Sequence, residues 1–360
     1  MAPLKSGNTQ PLDSSATADG AAGPVTERRR AKEVRSLTNY KMLPVVFIIA
    51  VMIILTVAYL GYHCTTLMQL NVDDRQKNKG RAQRGTIQFI IFAVVALLWS
   101  ICYARCILEL PGSIPNTPDF MMGASDPTNQ SEAQFPAWSP RETKKDGWKR
   151  RYCKWCWRFK PDRCHHCRTC DSCILKMDHH CPWIYNCVGY RNHKYFILLL
   201  FYSALATGQI AFTMPETLQE SIQYDTPFDA MFLLMYGEVL AICLFVLVTG
   251  FLSFHFWLIK SGMTTIEYCE KSGRKNADGE SDFSSAYCRS TSFANFADVM
   301  GENVFIWLLP IRETEPANGG ILFIMDSTPL IPKGGGGKKK KKAKEAEYDS
   351  GSDYVGPAGA

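Results

Sequence analysis

The sequence predicts an all-α polytopic membrane protein in which a cysteine-rich cytosolic module lies between the second and third of four transmembrane helices. Three observations support this fold class. Four apolar stretches are long enough to cross a bilayer, the loops that join them differ in basic charge, and eight of the 14 cysteines lie between Cys153 and Cys187. Cysteines packed so densely into one cytosolic loop indicate metal binding or catalysis.

The four apolar stretches are predicted to be transmembrane helices, because a helix needs about 20 mostly apolar residues to cross the hydrocarbon core of a bilayer. A helix buried in a soluble core would rarely stay apolar on every face over such a length. The first stretch begins too far along the chain, and runs too long, for a cleavable signal peptide. The predicted spans cover residues 42–62, 86–107, 194–214 and 230–259.

Basic residues predict the orientation of these spans. Lys and Arg are frequent before span one, between spans two and three, and after span four, whereas the loop at residues 215–229 has none. Because basic loops stay on the cytosolic side, both termini and the cysteine-rich loop are predicted to be cytosolic. The loop between spans one and two disagrees, because this orientation places its basic residues in the lumen. They are Arg75, Lys77, Lys79, Arg81 and Arg84.

The net charge of +6 does not indicate a nucleic-acid partner, and none is predicted. Most of the basic residues flank membrane spans, where anionic lipid attracts them. The run from Lys338 to Lys342 is interpreted as a solvated tail or a lipid-attracted patch. The lipid bilayer is therefore the partner that the charge distribution favours.

Composition divides the chain into six parts. Both ends are of low complexity, and the N-terminal tail is predicted to be largely disordered. Apolar and aromatic residues persist after span four, which indicates a folded extension. The predicted parts are residues 1–41 (cytosolic tail), 42–107 (spans one and two), 108–193 (cytosolic loop, with a linker at 112–140 and the module at about 148–193), 194–259 (spans three and four), 260–311 (cytosolic extension) and 312–360 (tail).

The module holds more candidate ligands than two zinc ions need. Thiols in a cytosolic loop stay reduced, so they favour metal binding or catalysis over disulfides. Cys-x-x-Cys spacing lets two thiolates bind one tetrahedral Zn²⁺, and three such pairs overlap here. Eight cysteines and four histidines would leave four residues spare after two four-coordinate sites are filled. Spacing alone leaves open which four are spare, and whether the two sites are consecutive or interleaved.

Three short motifs follow one another within the module. They are Lys-Pro-Asp-Arg ending at Arg163, Asp-His-His-Cys-Pro-Trp from Asp178 to Trp183, and Asn-Cys ending at Cys187. Together with the Cys-x-x-Cys pairs they resemble the cysteine-rich domain of the DHHC protein S-acyltransferases, the protein palmitoyltransferases. The resemblance covers about 50 contiguous residues, and two spans on either side of the module match the layout of that family.

Two elements after span four extend the resemblance to about residue 305. Thr-Thr-Ile-Glu at residues 264–267 is similar to the Thr-Thr-x-Glu element of the family, and the segment around Asn295 is similar to its C-terminal element. Met300 stands where the family usually has Phe, which is a mild departure. Both tails remain outside the resemblance.

The resemblance implies which residues would bind two structural zinc ions. One zinc would be held by Cys153, Cys156, His166 and Cys173. The other would be held by Cys167, Cys170, His180 and Cys187. The two sites would interleave along the chain. The residues left over are Cys164, His165, His179 and Cys181.

The resemblance also implies a catalytic group among the residues left over. Cys181 would be the nucleophile, His179 its base, and Asp178 the carboxylate that orients His179. The implied reaction moves a long-chain acyl group, typically palmitoyl, from acyl-CoA to Cys181 and then to a cytosolic cysteine of a membrane-associated protein. Cys164 is interpreted as a bystander in a site where the family has a small residue, with a second acylation site as the weaker alternative.

Further residues are expected to serve this reaction. The expected contacts of acyl-CoA are Lys160, Arg163, His165, Trp183 and Ala206, the last leaving room for the acyl chain. A stripe of small residues in a span serves helix packing at least as often. Thr265 is expected near Asp178, and Asn295 is expected to have a structural role.

Three other classes of protein are considered beside the acyltransferase. A membrane RING-type ubiquitin ligase also places eight zinc ligands in a cytosolic loop, but its spacing differs. A purely structural zinc module would have no spare Cys–His pair. An ion channel or transporter would place ionisable groups within its spans, as Glu238 does. The expected location is an endomembrane (Golgi, endoplasmic reticulum or vacuole) or the plasma membrane.

Overall fold

The computed structural model describes residues 40–70, 72–73, 75–117, 120, 143–144, 147–223, 226–272, 285–313 and 319–321. Most of the predicted N-terminal tail, most of the predicted linker and most of the C-terminal tail, including its lysine run, lie outside these residues. The described part of the chain is mostly helical and contains four helices long and apolar enough to cross a membrane. The predicted mostly helical fold with four candidate spans is confirmed to this extent.

The four candidate spans run further than the apolar stretches that predicted them. They are α1 (Leu43–Met68), α2 (Lys79–Leu108), α3 with α4 (His193–Gln223) and α5 (Phe228–Lys260). Helix α1 is α-helical over Leu43–Thr56, π-helical over Val57–Cys64 and α-helical again over Thr65–Met68. The side chain of Asn78 caps α2 by accepting a hydrogen bond from the backbone N–H of Arg81, so this helix begins within the polar loop.

The segment after span three was predicted as part of a loop, but most of it is helical. Helix α3 (His193–Thr213) is followed at once by α4 (Pro215–Gln223). Pro215 has no backbone N–H to continue the ladder of α3, but its fixed φ suits the first turn of a new helix. The break at Met214 therefore does not end the helical structure of this segment.

Helix α3 is the central helix of the bundle. Its apolar window is 61% buried, compared with 22–28% for the other three spans, whose apolar side chains are largely exposed. Gly208 lies against the ring of Phe245 on α5, and a Cβ at Gly208 would come within 2.9 Å of that ring. The small residue here allows close packing of α3 on α5. The exposed apolar faces of the outer helices are suited to contact with lipid.

Ion pairs join the ends of α2 and α4 that lie far from the module. Arg81 pairs with Glu220, and Arg84 lies 3.1 Å from Glu216. Nearby, His63 lies within hydrogen-bonding distance of Thr217, with Nδ1 2.8 Å from the hydroxyl oxygen. Two of the basic residues that disagreed with the predicted orientation are thus paired with acidic residues of α4.

The cysteine-rich module is built from short hairpins. Within the described residues, eight strands form four two-stranded antiparallel sheets. The strands are β1 (Thr143–Lys144), β2 (Gly147–Arg150), β3 (Tyr152–Cys153), β4 (Arg158–Phe159), β5 (His165–Cys167), β6 (Ser172–Ile174), β7 (His179–Cys181) and β8 (Asn186–Val188). Such short strands bury little apolar surface, so metal ligation would have to supply much of the stability of the module.

The beginning of the predicted linker packs onto the module. Ser113 forms an isolated antiparallel bridge with Ile174, and the backbone N–H of Leu175 donates to the carbonyl of Gly112 over 3.1 Å. Ile114 is buried beside Leu175. The linker therefore starts later than the predicted residue 112, because backbone groups near that residue pair with β6.

Two short helices follow the fourth span and return to the module. They are α6 (Thr265–Ser272) and α7 (Ser292–Met300). The amide of Asn295 donates to the carbonyl of Lys260 over 2.9 Å, and its oxygen accepts from the N–H of Arg289 over 2.8 Å. Gly262 has φ +62°, and a Cβ there would lie 2.6 Å from the Cα of Cys288. Asn295 and Gly262 thus hold this extension against the end of α5.

Candidate active site and metal centres

Two groups of ligand atoms converge within the module. Cluster 1 contains Cys153, Cys156, His166 and Cys173. Cluster 2 contains Cys167, Cys170, His180 and Cys187. In each cluster the ligand atoms lie within 4.8 Å of one another, so each could hold a metal ion. The clusters interleave along the chain and contain the eight residues that the resemblance implied.

The distances within the clusters fit a tetrahedral ion. The Nδ1 atom of His166 lies 3.5 Å from the sulfur of Cys153 and 3.3 Å from that of Cys156. The Nδ1 atom of His180 lies 3.4 Å from Cys170 and 3.5 Å from Cys187. Tetrahedral Zn²⁺, with Zn–S of about 2.3 Å and Zn–N of about 2.0 Å, requires S···N separations of about 3.5 Å. The donor set of three thiolates and one imidazole also suits zinc.

Hairpin geometry places these ligands. In both Cys-x-x-Cys turns the backbone N–H of the second cysteine donates to the sulfur of the first over 3.4 Å, from Cys156 to Cys153 and from Cys170 to Cys167. The residue after each pair has a positive φ. The facing strands complete the clusters, because His166 pairs with Cys173 and His180 pairs with Cys187.

A carboxylate and an imidazole lie next to cluster 2 without belonging to it. The Nδ1 atom of His179 lies 2.7 Å from Oδ2 of Asp178, which is buried. Thr265, at the start of α6, donates its backbone N–H to Oδ1 over 2.9 Å and its hydroxyl to Oδ2 over 2.8 Å. The proximity of Thr265 to Asp178 was predicted. The extension after the fourth span therefore fixes the orientation of the Asp178 carboxylate.

Hydrogen bonding sets the charge states of this pair. Burial alone would raise the pKa of the Asp178 carboxyl, but the hydrogen bond from His179 contributes to holding that pKa well below its usual range. Burial alone would lower the pKa of His179, but hydrogen bonds with Asp178 and Cys181 raise it to about 9. His179 is thus held between a carboxylate and a thiol, in the arrangement that activates a cysteine nucleophile.

Cys181 is the thiol of this group, and it faces the helix bundle. It is 6% exposed and belongs to the same continuous apolar core as Tyr103 of α2 and Leu55 of α1. The partner of Cys181 across the hairpin, Asn186, donates its amide to the carbonyls of Cys106 and Glu109 at the end of α2, each over 2.9 Å. This contact fixes the hairpin of Cys181 at the end of the bundle.

The residues predicted to contact acyl-CoA have different surroundings. Arg163 is buried and forms a bidentate ion pair with Glu267, with Nε 2.6 Å and Nη2 2.9 Å from the carboxylate oxygens. Lys160 and His165 are half-buried, whereas Trp183 is 52% exposed. Ala206 is buried in the bundle. Arg163 is thus occupied by a structural ion pair, and the role of the other four as contacts of acyl-CoA stays a prediction.

Two residues singled out as unexplained in the sequence are buried. Cys164 packs in one cluster with Cys153 and Cys173 of cluster 1, and its interpretation as a bystander stays a prediction. Glu238 lies in α5, and neither oxygen of its carboxylate has a hydrogen-bond partner among the described residues. Sequence reasoning missed His193 and His255, which lie beside Asp178. An ionisable residue within a span was the available signal for His255.

Comparison with known proteins gives consistent matches. The family model described as DHHC palmitoyltransferase matches residues 148–272. Palmitoyltransferase ZDHHC2 of Homo sapiens is 39% identical over 169 residues, which cover 45% of this chain and 43% of the relative. The chain thus spans less than half the length of that relative.

Two relatives from Arabidopsis thaliana match over more of their length. Probable protein S-acyltransferase 12 is 32% identical over 231 residues, or 61% of this chain and 70% of the relative. Probable protein S-acyltransferase 14 is 30% identical over 276 residues, or 72% of this chain and 84% of the relative. The second match includes most of both chains, so the similarity extends beyond the cysteine-rich module.

Proposed function

Because the chain belongs to the DHHC palmitoyltransferase family, we propose that it is a protein S-acyltransferase that carries a long-chain acyl group, such as palmitoyl, on Cys181. The donor would be acyl-CoA, and the acceptors would be cytosolic cysteines of membrane-associated proteins. One observation carries the proposal: Cys181 is a thiol outside both metal clusters that interacts with His179, a histidine oriented by the buried carboxylate of Asp178.

The first step forms the acyl-enzyme. His179 accepts the proton of the Cys181 thiol, and the sulfur attacks the thioester carbonyl of acyl-CoA. The tetrahedral intermediate then collapses, the bond from the carbonyl carbon to the sulfur of CoA breaks, and the departing thiolate takes the proton from His179. Asp178 holds the imidazole in the required tautomer and stabilises its charged form.

The second step transfers the acyl group to the acceptor. A cysteine thiol of the target protein gives its proton to His179 and attacks the thioester on Cys181, which leaves as a thiolate and is reprotonated. One thioester is exchanged for another in each step, so no further energy source is needed. The kinetics should be of the ping-pong type.

Zinc in the two clusters would have a structural role. Cys153, Cys156, His166 and Cys173 would hold one ion. Cys167, Cys170, His180 and Cys187 would hold the other. Bound ions would cross-link the hairpins and supply folding free energy to a module with little apolar core. Because His180 belongs to cluster 2, that cross-link would also fix the backbone of its neighbours His179 and Cys181.

The bundle would shelter the acyl chain. Exposing such a chain to water costs about 0.8 kcal/mol per CH₂, so a thiol within the apolar core is a suitable carrier. Cys181 belongs to the same core as Ala206 of α3. Replacing Ala206 with Trp should shift the preference of the enzyme toward shorter acyl-CoA donors, whereas an unchanged preference would limit Ala206 to helix packing.

The orientation that suits this reaction places the module and both termini in the cytosol, where acyl-CoA is found. The ion pairs of Arg81 with Glu220 and of Arg84 with Glu216 support it. They offset part of the basic charge that this orientation assigns to the opposite side of the membrane. An endomembrane or the plasma membrane would be the location. Lys160, His165 and Trp183 remain proposed contacts of acyl-CoA, and phosphate binding by Arg163 would compete with its ion pair to Glu267.

Labelling of the purified full-length protein tests the proposed function. The protein in detergent micelles would be incubated with an alkyne-tagged palmitoyl-CoA, and Cys181→Ser would be compared with the wild type and with Cys269→Ser, which removes an exposed thiol of α6. Label that hydroxylamine releases is expected on the wild type and on Cys269→Ser, and none on Cys181→Ser. Equal label on Cys181→Ser would refute the assignment of the nucleophile.

A further inference from the structure

A third group of ligating side chains shares Asp178 with the proposed active site. Asp178, His193 and His255 place one carboxylate oxygen and two imidazole nitrogens within 4.8 Å of one another. We refer to these three residues as the histidine–aspartate cluster. Each is at least 97% buried, so the cluster is enclosed by protein rather than spread over a surface. Neither cluster 1 nor cluster 2 contains any of them.

Three separate elements bring the cluster together. Asp178 precedes β7, His193 is the first residue of α3, and His255 lies near the end of α5. The arrangement therefore depends on the packing of the module against two spans. Helix α3 is the most buried helix of the bundle, so His193 has a well-defined position.

The two histidines lack the partners that buried imidazoles normally have. Among the described residues, neither ring nitrogen of His193 or of His255 has a hydrogen-bond partner. Aromatic rings surround His255 instead, with Phe251 at 4.6 Å and Phe196 at 5.2 Å between ring centroids. Nearly all buried polar groups are satisfied by protein or by a bound species. Four unsatisfied nitrogens on two adjacent rings therefore indicate a bound species between them.

The Asp178 carboxylate has capacity for one more bond toward these rings. His179 and the hydroxyl of Thr265 use Oδ2, and the backbone N–H of Thr265 uses Oδ1. An ionised carboxylate can accept about four bonds through its two oxygens. One acceptor position on Asp178 is thus available beside the rings of His193 and His255.

We propose that Asp178, His193 and His255 form a third metal site, which binds a divalent first-row ion such as Zn²⁺ and inhibits acyl transfer when filled. Two histidines and one carboxylate are a recurrent donor set for such ions, with an open coordination position. Inhibition rests on the proposed function, because the ion would compete with His179 for the carboxylate that orients it. With a single anionic ligand, this site would bind zinc more weakly than the two thiolate clusters.

The number of zinc ions bound per chain shows whether the third metal site exists, independently of catalysis. The full-length protein in detergent micelles would be equilibrated in zinc buffers of increasing free concentration, and bound zinc would be measured by mass spectrometry of the metal. We expect two zinc ions per chain at low free zinc, from clusters 1 and 2, and a third at higher free zinc. His255→Leu and His193→Gln should keep the first two ions and lose the third.

A matched control is available at the other end of the bundle. His63 is also a buried histidine, but its nitrogens lie 2.8 Å from Thr217 and 3.0 Å from Gln88. His63→Gln should therefore bind three ions like the wild type. Retention of the two tightly bound ions reports that each variant has folded. The proposal would be overturned if the wild type binds only two ions per chain. It would also be overturned if His255→Leu and His193→Gln both retain the third ion.

Acylation in the same zinc buffers tests the inhibitory role. Autoacylation of the wild type should fall as the third ion binds and recover when a chelator removes it. The activity of His255→Leu, measured relative to its own value without free zinc, should not fall over this range. A third ion that binds without inhibiting would overturn the inhibitory role. A wild type that is inactive without free zinc while it still holds two zinc ions per chain would instead refute the proposed function and leave the metal count as a separate result.

Discussion

Strands β5 and β7 both read His-His-Cys, yet the structure gives their side chains different surroundings. Both lie in two-stranded hairpins with the same pairing, in which the middle histidine faces a cysteine of the returning strand. In both strands that middle histidine belongs to a metal cluster. The strands differ at the first and third positions, where one hairpin has the residues that we propose for catalysis.

The residues that follow each strand determine the third position. Cys167 is followed by two residues and Cys170, and the tight turn directs both sulfurs into cluster 2. Cys181 is followed by Pro182, which begins a short 3-10 helix instead of a second Cys-x-x-Cys turn. The thiol of Cys181 is thereby left outside the metal clusters and packed in the apolar core.

A single carboxylate distinguishes the first position. Burial, followed by the nearby charges of Arg151 and Lys160, lowers the pKa of His165 to about 4. Burial also opposes the charged form of His179, but hydrogen bonds with Asp178 and Cys181 raise its pKa to about 9. The tripeptide His-His-Cys alone therefore does not define the site. The partners supplied by neighbouring segments do.

The largest expected difference is between the two cysteines. Cys181→Ser should lower autoacylation by at least about 1,000-fold, because the nucleophile is removed, and should keep two zinc ions per chain. Cys167→Ser should lose about one zinc ion and destabilise the module, because a ligand of cluster 2 is removed. Radiolabelled palmitoyl-CoA and metal analysis measure both effects. Loss of zinc from Cys181→Ser would contradict the division of roles.

The two histidines at the first position should differ next most strongly. His179→Ala is expected to lower the rate of autoacylation by about 10²–10⁴-fold, the usual contribution of a general base. His165→Ala should change that rate by less than about tenfold, since a phosphate contact contributes mainly to binding. The initial rate at saturating palmitoyl-CoA separates the two. An equal loss of autoacylation rate in both variants would contradict the different roles proposed for His179 and His165.

The ion pair that anchors α6 to the module should have the third largest effect. Arg163 and Glu267 are buried, and loss of one partner from such a pair commonly costs about 3–5 kcal/mol of stability. Glu267→Gln should therefore lower the thermal unfolding midpoint and weaken the placement of Thr265 on Asp178. Arg84→Gln breaks an exposed pair and should leave the midpoint nearly unchanged. Similar unfolding midpoints for both variants would mean that the ion pair of Arg163 with Glu267 does not stabilise the protein.

The smallest effect should follow from the hydroxyl of Thr265. Thr265→Val removes one hydrogen bond to Asp178 but keeps the backbone N–H, so the rate should fall about tenfold, corresponding to about 1.5 kcal/mol. Ser253→Ala serves as the control, because its hydroxyl bonds only within α5. A rate for Thr265→Val equal to that of the wild type would show that the backbone contact alone orients the carboxylate.

Local patterns in the sequence predicted a large part of this structure. The four candidate spans follow from apolar length, and the resemblance of the module implied the residues of both clusters. Thr265 was also expected beside Asp178, since the Thr-Thr-x-Glu element carried that expectation. These features depend on residues that are close in sequence or on a motif that is recognisable as a unit.

Other features depend on long-range packing that no local pattern reports. Helix α4 was predicted as a loop, although its apolar contacts and its ion pairs with α2 stabilise a helix there. The convergence of His193 and His255 on Asp178 requires the relative positions of three elements. Arg163 was expected to contact acyl-CoA. Its ion pair with Glu267 could not be recognised in the sequence, because Glu267 lies 104 residues further along the chain.

Peptide mapping after reaction with palmitoyl-CoA tests directly whether Cys181 is the cysteine that carries the acyl group. The reaction of the full-length protein would be quenched at low pH, and the protein would be digested and analysed by mass spectrometry. Cys164, Cys167 and Cys181 would each be examined for a thioester-linked acyl group. We expect an acyl group on Cys181 and none on Cys167 or Cys164, and we expect the acyl group to be released when an acceptor thiol is added. Acyl on Cys164 or Cys167, with Cys181 unmodified during continued turnover, would contradict this expectation.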